Sequence, residues 1–520
     1  MPDGTGAPGT YQPGCLLYVR PSESGSGQIE QPAYFRDLNL DQVEAALLEG
    51  RSDYGLEPLF RQTLLSEEEM RHRHAVFRDL EDAELAQALR EFAASLSAIR
   101  GDLARIEAQR HQWQRARLWL DAAQEYCDGI TRLRQALGES ALGSTGLTLF
   151  RGYLGDYVES ARFQTLASDA RNSCRALAEV RYLVKLKGLH VSVRRYAGEP
   201  DYGETVTKTF ARFQWGHDKE YRAEFQTRTS LNQVEERVLD RVAMLFPDAF
   251  AALDRFSRNH PDPLDGNIMA FEREIQFYLA YLDYLAPLRN LGLPFCYPDV
   301  DASAGITEAQ NVFDLALAKK LGDGKRLPVL NDFALTGSER VLVITGPNQG
   351  GKTTLARTFG QVHHLTMLGV PVPGTEVRLR GASRILTCFA GDEDALGGRG
   401  KLESDIRTIV ELVARADSKS VFIINELFSS TTLADARSLG KAVLERLIAA
   451  GATGVYVTFV DELASLGKAT VSMVSQVADH DPTLRTYKVI RAPARGLAYA
   501  VELAEKFGLS YEQLRRRIVP

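Results

Sequence analysis

A glycine-rich run that contains one lysine and two threonines is the part of the chain whose residue types most clearly indicate chemistry. Gly346, Gly351, Lys352 and Thr353 satisfy the spacing G-x-x-x-x-G-K-[ST] between a β-branched run and a helix-prone segment. In that setting backbone N–H groups point at the β-phosphate of a nucleotide, the lysine reaches the β- and γ-oxygens, and the hydroxyl holds Mg²⁺. The predicted nucleotide-binding residues are Gly346, Pro347, Asn348, Gln349, Gly350, Gly351, Lys352, Thr353 and Thr354.

A second polar group follows an apolar run at residues 421–424, where Asn425 and Glu426 come in succession. Glu426 is predicted to orient or deprotonate the attacking water, so Glu426 and Lys352 are the expected catalytic pair. Asn425 stands where an aspartate ordinarily supports Mg²⁺, and its amide carries no charge. The sequence therefore predicts indirect Mg²⁺ binding by Thr353 and Asn425, with weak metal support and slow turnover.

Composition limits the classes of function. The chain has 520 residues, a formal net charge of −6 and 44% hydrophobic residues, which is ordinary for a globular protein. A nucleic-acid surface must therefore be a local basic patch. Five scattered cysteines, with no signal peptide and no apolar run long enough for a bilayer, favour a soluble cytoplasmic protein without membrane contact.

Hydrophobic periodicity predicts a multidomain chain of the α and α/β classes. Phe92, Leu96, Ile99, Leu103 and Ile106 step by three and four, as on an amphipathic helix, whereas the residues after Gly188 alternate as in strands. The expected segments are a flexible tail at 1–30, a helical core at 31–187, a β-rich insert at 188–229, further helices at 230–310, a P-loop NTPase α/β domain at 311–497, and a helix–turn–helix at 498–520.

Two details of the helical part are also predicted. Ser230 and Gln233 form a candidate capping box, after which Val234, Val238, Val242 and Leu245 would carry the buried stripe. The aromatic-rich segment at 268–285 is interpreted as core and not as a base-stacking platform.

Several segments resemble the MutS mismatch-repair family. The similar stretches are TGPNQGGKTT, ILTCFAGDEDALGGRGKLESD, NELFSSTTLAD and YVTFVDELASL in the ATPase region, with LLSEEEMRHRHAVFRDL and YLDYLAPLRNLGLPFCYPDV upstream. The resemblance implies an ABC-like domain that uses ATP and Mg²⁺, with composite ATP sites in a head-to-head homodimer. It also implies lever helices that carry a DNA-binding clamp, here shortened to about residues 188–228, and a C-terminal helix–turn–helix used for dimerisation.

The sequence departs from that family pattern at several points. The segment before the levers is too short for mismatch-recognition and connector domains, and Phe271 in FERE lies within a predicted helix and not in a wedge loop. Gly400 replaces the signature serine, Phe459 the switch histidine and Asn425 the acidic-strand aspartate. Arg399 and Lys401, which flank Gly400, are therefore candidates to reach the partner subunit's phosphates, or else they flank a helix.

A local basic excess marks the predicted clamp. Residues 181–230 contain ten Lys or Arg against six Asp or Glu, an excess of four, with aromatic residues between them. Such a patch either tracks phosphates without sequence preference or is a solvated hairpin surface. The candidate DNA contacts are Lys185, Lys187, Arg194, Arg195, Lys208 and Arg212.

The sequence thus predicts a MutS-like DNA-binding ATPase, in which ATP binding and hydrolysis move a clamp and levers during mismatch repair or related DNA metabolism. Two alternatives stay open. The same ATPase could act on structured RNA, a ribosome or branched DNA, because clamp electrostatics would serve any of these. It could also remodel a protein partner without nucleic acid.

Overall fold

The computed structural model describes residues 11–20, 30–64, 66–188, 190–199, 231–301, 305–389, 401–478 and 481–494, with positions 509, 511, 514 and 515 near the C-terminus. Its chain divides into two compact units. The first comprises Met1–Tyr11, Asp82–Leu142 and Leu149–Glu272, and the second comprises Gln12–Glu81, Gly143–Thr148 and Arg273–Pro520.

The elements of the described residues are numbered along the chain. The α-helices are α1 Tyr34–Asp37, α2 Leu40–Leu48, α3 Glu57–Arg61, α4 Glu67–Asp79, α5 Ala83–Ala108, α6 Gln112–Glu139, α7 Thr145–Glu159, α8 Ala161–Ala178, α9 Gln233–Leu245, α10 Pro247–Asn259, α11 Gly266–Asn290, α12 Leu315–Gly322, α13 Lys352–Met367, α14 Lys401–Arg415 and α15 Leu433–Ala449. The strands are β1 Tyr182–Lys187, β2 His190–Arg195, β3 Phe295–Cys296, β4 Asp299–Val300, β5 Thr307–Val312, β6 Asn331–Leu335, β7 Val341–Thr345, β8 Val372–Pro373, β9 Glu376–Leu379, β10 Arg384–Phe389, β11 Ser420–Asn425, β12 Thr453–Val457, β13 Thr470–Ala478 and β14 Asp481–Arg491. The mixed helical and α/β character predicted from the sequence is confirmed.

Helices make up most of the first unit. The side chain of Asp82 accepts hydrogen bonds from the backbone N–H groups of Glu84 and Leu85 and so caps the start of α5. The predicted stripe of α5 is buried at Phe92, Leu96, Ile99 and Ile106, and Leu103 is half-buried. Phe271 is fully buried, which confirms that FERE belongs to a helix core.

The strands of the first unit begin earlier than the sequence predicted. β1 starts at Tyr182, inside the range expected to be helical, and pairs antiparallel with β2 from Lys187↔His190 to Tyr182↔Arg195. Gly188 lies in the tight turn between them with φ 60°, a left-handed conformation that favours glycine. The expectation of helix up to residue 187 was therefore wrong at its end, because residues 182–187 pair with β2. Residues 200–230 of the predicted insert lie outside the described residues.

The start of α9 also differs from the prediction. Its capping box is formed by Asn232 and Glu235, with the Asn232 side chain accepting from the N–H groups of Val234 and Glu235. Val234 is 57% exposed and does not belong to the buried stripe. The helix therefore begins with a different cap, and Ser230 lies outside the described residues.

A six-stranded sheet forms the centre of the second unit, in the order β10-β11-β12-β7-β13-β14. All neighbours are parallel except β13 and β14. β7 is buried along its whole length, as expected for a β-branched strand covered on both faces. Parallel order brings the carboxyl ends of β7, β11 and β12 to one edge, which is where ligands bind in open α/β sheets.

The prediction of a flexible tail at 1–30 is wrong for residues 12–18, because these residues pack within the second unit. Leu16 is fully buried, and its backbone oxygen accepts a hydrogen bond from Tyr278 Oη at 2.5 Å. Glu274 accepts from the backbone N–H groups of Gly14 and Leu16, and Arg73 Nε donates to Leu17 O at 3.1 Å. These partners lie far away in the sequence, so the local Gly/Pro-rich composition did not reveal them.

The helices α1 to α4 likewise group with the second unit and not with the helical unit, whose first described helix begins after Asp82. The expected single helical segment at 31–187 is therefore divided in the structure. The predicted C-terminal helix–turn–helix at 498–520 lies almost entirely outside the described residues. Among the helices that are described, none is both long and apolar enough to cross a membrane.

Candidate nucleotide-binding site

The Gly-rich loop, residues 346–351, connects the end of β7 to the start of α13. Gly346 has φ 119° and Gly351 has φ 93°, conformations that a side chain would strain. A Cβ atom on Gly350 would clash with the Ser475 hydroxyl, since the two atoms would be only 2.1 Å apart. The glycines of the motif are therefore required both by backbone conformation and by close packing against β13.

Lys352 is the first residue of α13 and is only 5% exposed. Its Nζ donates to Gly346 O at 2.9 Å, to Pro347 O at 3.1 Å and to Asn348 Oδ1 at 3.2 Å. Burial lowers the pKa of this ammonium, and the Glu426 carboxylate, whose Oε1 lies 3.8 Å from Nζ, partly offsets the shift. The loop thus surrounds the charge with oxygens, the environment that phosphate oxygens would also provide.

The carboxyl end of β11 brings the other predicted site residues to the same place. Thr353 Oγ1 donates to Asn425 Oδ1 at 2.9 Å. Glu426 follows directly with φ 53°, its backbone N–H donates to Val457 O at 3.0 Å, and its side chain is 42% exposed. A left-handed glutamate is uncommon, and here it turns the carboxylate toward Lys352 at the sheet edge.

Three residues that the sequence did not single out hold the outer side of the loop. Ser475 Oγ donates to Gly350 O at 2.6 Å, and Arg485 Nε donates to Asn348 O at 3.2 Å. The backbone of Tyr487 approaches Gly351 so closely that an added Cβ would lie 3.2 Å from Tyr487 O. These residues come from β13 and β14, which only the sheet pairing brings next to β7.

An exposed apolar surface adjoins this side of the loop. Asn331 Nδ2 donates to Val329 O at 3.3 Å and to Tyr487 O at 3.1 Å, which joins two distant segments. Tyr487 is 52% exposed, and Leu327 and Val329 are exposed as well. The backbone of Tyr487 therefore lies beside the amino terminus of α13, and its side chain is open to solvent.

The remaining predicted residues of this region are only partly described. Arg399 and Gly400 lie outside the described residues, and Lys401 begins α14 without a described side chain. Phe459 follows β12 and is partly exposed. In the described part of the chain, no group of three or more His, Cys, Asp and Glu is arranged to hold a metal ion.

The register of the β1–β2 hairpin separates the predicted DNA contacts. Lys185, Lys187 and Arg194 lie on one face, together with His190. Arg195 lies on the opposite face, where Nε donates to Leu245 O at 3.0 Å and the guanidinium lies 4.9 Å from the ring centroid of Phe246. Arg195 is thus used to hold the hairpin against the following helix, and it does not join the other basic residues.

Arg194 also has a carboxylate partner, since its Nη2 lies 2.8 Å from Glu199 Oε1. Lys208 and Arg212 lie outside the described residues. The basic face of the hairpin, Lys185, Lys187 and His190 with the paired Arg194, is therefore the described part of the predicted clamp surface.

The part of the chain that contains the Gly-rich loop is similar to known proteins. Residues 342–516 match the sequence family described as MutS domain V. Endonuclease MutS2 of Pelotomaculum thermopropionicum is 28% identical over 291 residues, which is 55% of this chain and 34% of that protein. Endonuclease MutS2 of Thermotoga maritima is 32% identical over 183 residues, which is 34% of this chain and 24% of that protein.

Endonuclease MutS2 of Thermus thermophilus is 28% identical over 190 residues, or 36% of this chain and 25% of that protein. The chain thus aligns with a quarter to a third of the length of these curated relatives. The matched residues include the whole Gly-rich loop at 346–351, Asn425 and Glu426. The part of the chain that carries the Gly-rich loop is therefore similar to MutS domain V and to these MutS2 proteins.

Proposed function

We propose that the chain binds ATP with Mg²⁺ in the loop of residues 346–351, hydrolyses it, and couples this cycle to binding of nucleic acid. One observation carries the proposal. Lys352, Thr353, Asn425 and Glu426 converge at the carboxyl edge of two parallel strands, with the Thr353 and Asn425 oxygens 2.9 Å apart. The match to MutS domain V supports the same activity.

The chain's own groups account for phosphate binding. Lys352 Nζ exchanges the carbonyl oxygens of Gly346 and Pro347 for the β- and γ-oxygens of ATP, so its charge stays neutralised throughout. The free N–H groups at the start of α13 point at the same anion, and the positive end of the helix dipole favours it. Tyr487, whose backbone approaches Gly351, and Val329, which Asn331 links to Tyr487, are exposed and offer apolar side chains for the adenine ring.

Hydrolysis follows from the position of Glu426. Its carboxylate accepts a proton from a water molecule that attacks the γ-phosphorus in line, while the bond to the β–γ bridging oxygen breaks and ADP leaves with that electron pair. Thr353 Oγ1 and Asn425 Oδ1 are hard oxygen ligands and fit Mg²⁺, which they would hold directly or through water. When bound, Mg²⁺ neutralises charge on the β- and γ-oxygens.

Asn425→Asp is expected to increase the apparent affinity for Mg²⁺. A carboxylate 2.9 Å from Thr353 Oγ1 adds a full negative charge where the amide offers only a dipole. We expect the Mg²⁺ concentration that gives half-maximal ATP hydrolysis to fall about tenfold, the effect of roughly one charge at this distance. A magnesium titration of ATP hydrolysis at saturating ATP measures this concentration.

Asn290→Asp supplies the control, since it adds the same negative charge in the same unit, at an exposed residue that ends α11. An unchanged magnesium titration for Asn425→Asp would show that Asn425 does not support the metal.

Dimerisation by the ATPase region is part of the proposal. The amphipathic helix α14 buries Ile409 and Leu412 and leaves Ile406 and Val410 exposed on its other side. Exposed apolar side chains on an otherwise charged helix favour contact with another protein surface. We infer that this surface meets a second copy of the chain, as the family resemblance implies.

The basic face of the hairpin is the proposed contact with nucleic acid. The double substitution Lys185→Glu and Lys187→Glu is expected to weaken DNA binding about tenfold at low salt and to reduce the salt dependence of log K by about one for each lysine. Gel-shift series across homoduplex, mismatched, branched and single-stranded DNA and RNA, with and without ATP, measure this.

Arg132→Glu with Arg134→Glu makes the same change of net charge in the same unit, on α6, and serves as the control. Equal losses for the two double variants would assign the effect to overall charge and not to the hairpin. If the wild-type protein preferred RNA or branched DNA, that nucleic acid would be the ligand in place of duplex DNA. If it bound none of the probes at low salt, a protein partner would be favoured.

A further inference from the structure

A short N-terminal segment, residues 34–39, lies along one stripe of α13, the helix that begins with Lys352. Arg357 Nε donates to Asp37 O at 2.9 Å, and Gln361 Nε2 donates to Leu38 O at 2.8 Å. One turn further, Tyr34 Oη and His364 Nδ1 are 3.1 Å apart. The three helix residues are spaced by four and three, so they share one face of α13. We call residues 34–39 the strap.

Side-chain packing between the strap and α13 is also close. Leu38 is fully buried above Gly360. A Cβ atom on Gly360 would lie 2.7 Å from both Leu38 methyl carbons and 3.2 Å from Ile423 Cδ1. Any side chain at residue 360 would therefore push the strap away from the helix. Ile423 lies on β11, two residues before Asn425, so the strap, the helix and this strand meet at one point.

A third set of contacts joins the strap to the sheet. Thr387 Oγ1 on β10 donates to Asp37 Oδ2 at 2.6 Å. Thr387 is paired with Ile423, and Phe389 is paired with Asn425. The guanidinium of Arg357, held by Asp37, lies 5.6 Å from the ring centroid of Phe389. The strap thus connects α13 with β10, and its contact on β10 lies two residues before the residue that pairs with Asn425.

We propose that the strap is a positioning element of the nucleotide site, with Asp37 and Leu38 as positioning residues that hold α13 against β10 and β11. The inference rests on the proposed ATP binding. Thr353 lies one turn before Arg357 on the same helix, and a helix moves as a rigid body over so short a distance. Holding the stripe therefore fixes the contact between Thr353 and Asn425, where an error of about 1 Å costs up to roughly a hundredfold in rate.

This assignment reaches outside the recognised domain. The match to MutS domain V covers residues 342–516, whereas the strap lies more than 300 positions earlier, and its Asp37 and Leu38 oxygens accept hydrogen bonds from that domain. The strap and α13 belong to the same compact unit. The nucleotide site therefore depends on a segment that sequence analysis had assigned to the helical core.

Gly360→Ala is the principal test, because it adds one methyl group and raises the helix propensity of α13. We expect the dissociation constant for Mg·ATP to rise about tenfold as the methyl displaces Leu38 and shifts the helix. Leu38→Ala, introduced into the same protein, removes the clashing methyl carbons and is expected to restore binding to within about threefold of wild type.

Gly440→Ala is the matched control. A Cβ atom there would lie 2.7 Å from Leu463 Cδ1, so the clash is equally severe. Gly440 lies on α15, whose buried residues pack with Phe422 and Ile424 on the opposite face of the sheet from Ile423. We expect Gly440→Ala to lower the melting temperature and to leave the dissociation constant for Mg·ATP unchanged. Binding, magnesium dependence and thermal unfolding are measured for the full chain.

Three results would overturn the proposal: wild-type affinity in folded Gly360→Ala, an equal loss in Gly440→Ala, or no recovery with Leu38→Ala. If Gly360→Ala does not fold, Thr387→Val decides, since it keeps the volume and removes only the donor to Asp37. An increase of about threefold in the dissociation constant supports the strap, and no increase rejects it. Failure of the wild type to bind Mg·ATP would instead reject the proposed function itself.

Discussion

Lys352→Ala is expected to weaken Mg·ATP binding roughly a hundredfold, about 2.7 kcal/mol, and to remove measurable hydrolysis. The ammonium is buried and has three oxygen partners within the loop, besides Glu426 at 3.8 Å. Alanine removes the cation that the triphosphate needs and leaves the carbonyl oxygens of Gly346 and Pro347 without their donor. The loss of the cation acts on the bound state, because Lys352 would contact the phosphates there, so the loss should appear in the dissociation constant and not only in turnover.

Lys441→Ala is the matched control for that experiment. Lys441 lies on α15, is exposed and pairs only loosely with Glu445 at 3.7 Å, so its removal alters the same net charge without touching the loop. Titration with a fluorescent ATP analogue and measurement of phosphate release compare the two variants. Unaltered binding by folded Lys352→Ala protein would show that the nucleotide, if bound, lies elsewhere.

The meeting of the predicted site residues could be anticipated because they lie in two short motifs, each local in sequence. The loop, the lysine and the threonine form one continuous motif, and Asn425 and Glu426 follow directly on a strand whose apolar run is unmistakable. Their meeting needed only the rule that parallel strands end at one edge. The 2.9 Å contact between Thr353 and Asn425 agrees with that expectation.

The residues that hold the Gly-rich loop and α13 in place could not be predicted in the same way. Ser475 and Arg485 contact the loop because β13 pairs with β7 and β14 folds back on β13. No local pattern distinguishes that serine from any other on a strand. The strap is a stronger case, since Asp37 and Leu38 contact residues of α13 that are more than three hundred positions away.

Strand register determines which basic residues of the hairpin share a face, and composition could not reveal this. The basic residues near Gly188 were counted together, although Arg194 and Arg195 must point to opposite faces of a strand. The pairing of Tyr182 with Arg195 assigns Arg195 to the face that packs on Phe246 and leaves Lys185 and Lys187 on the other. A count of charges therefore overestimated the basic surface by at least one residue.

Glu426→Gln is expected to separate ATP binding from hydrolysis. The glutamine keeps the shape of the side chain at this left-handed position but cannot accept the proton of the attacking water. We expect the turnover number to fall at least a hundredfold, the usual contribution of a general base, whereas the dissociation constant for Mg·ATP changes by less than about threefold. Single-turnover hydrolysis and equilibrium titration on the same preparation measure the two quantities.

The comparison of binding with turnover is what identifies the role of Glu426. Loss of the charge beside Lys352 slightly favours a bound triphosphate, because the ammonium loses its competing carboxylate at 3.8 Å. A protein that bound Mg·ATP tightly and hydrolysed it at the wild-type rate would exclude Glu426 as the base. Glu445→Gln, on the exposed face of α15, controls for the loss of one negative charge. If both variants lost turnover equally, the effect would belong to the overall field of the domain and not to a proton transfer at the end of β11.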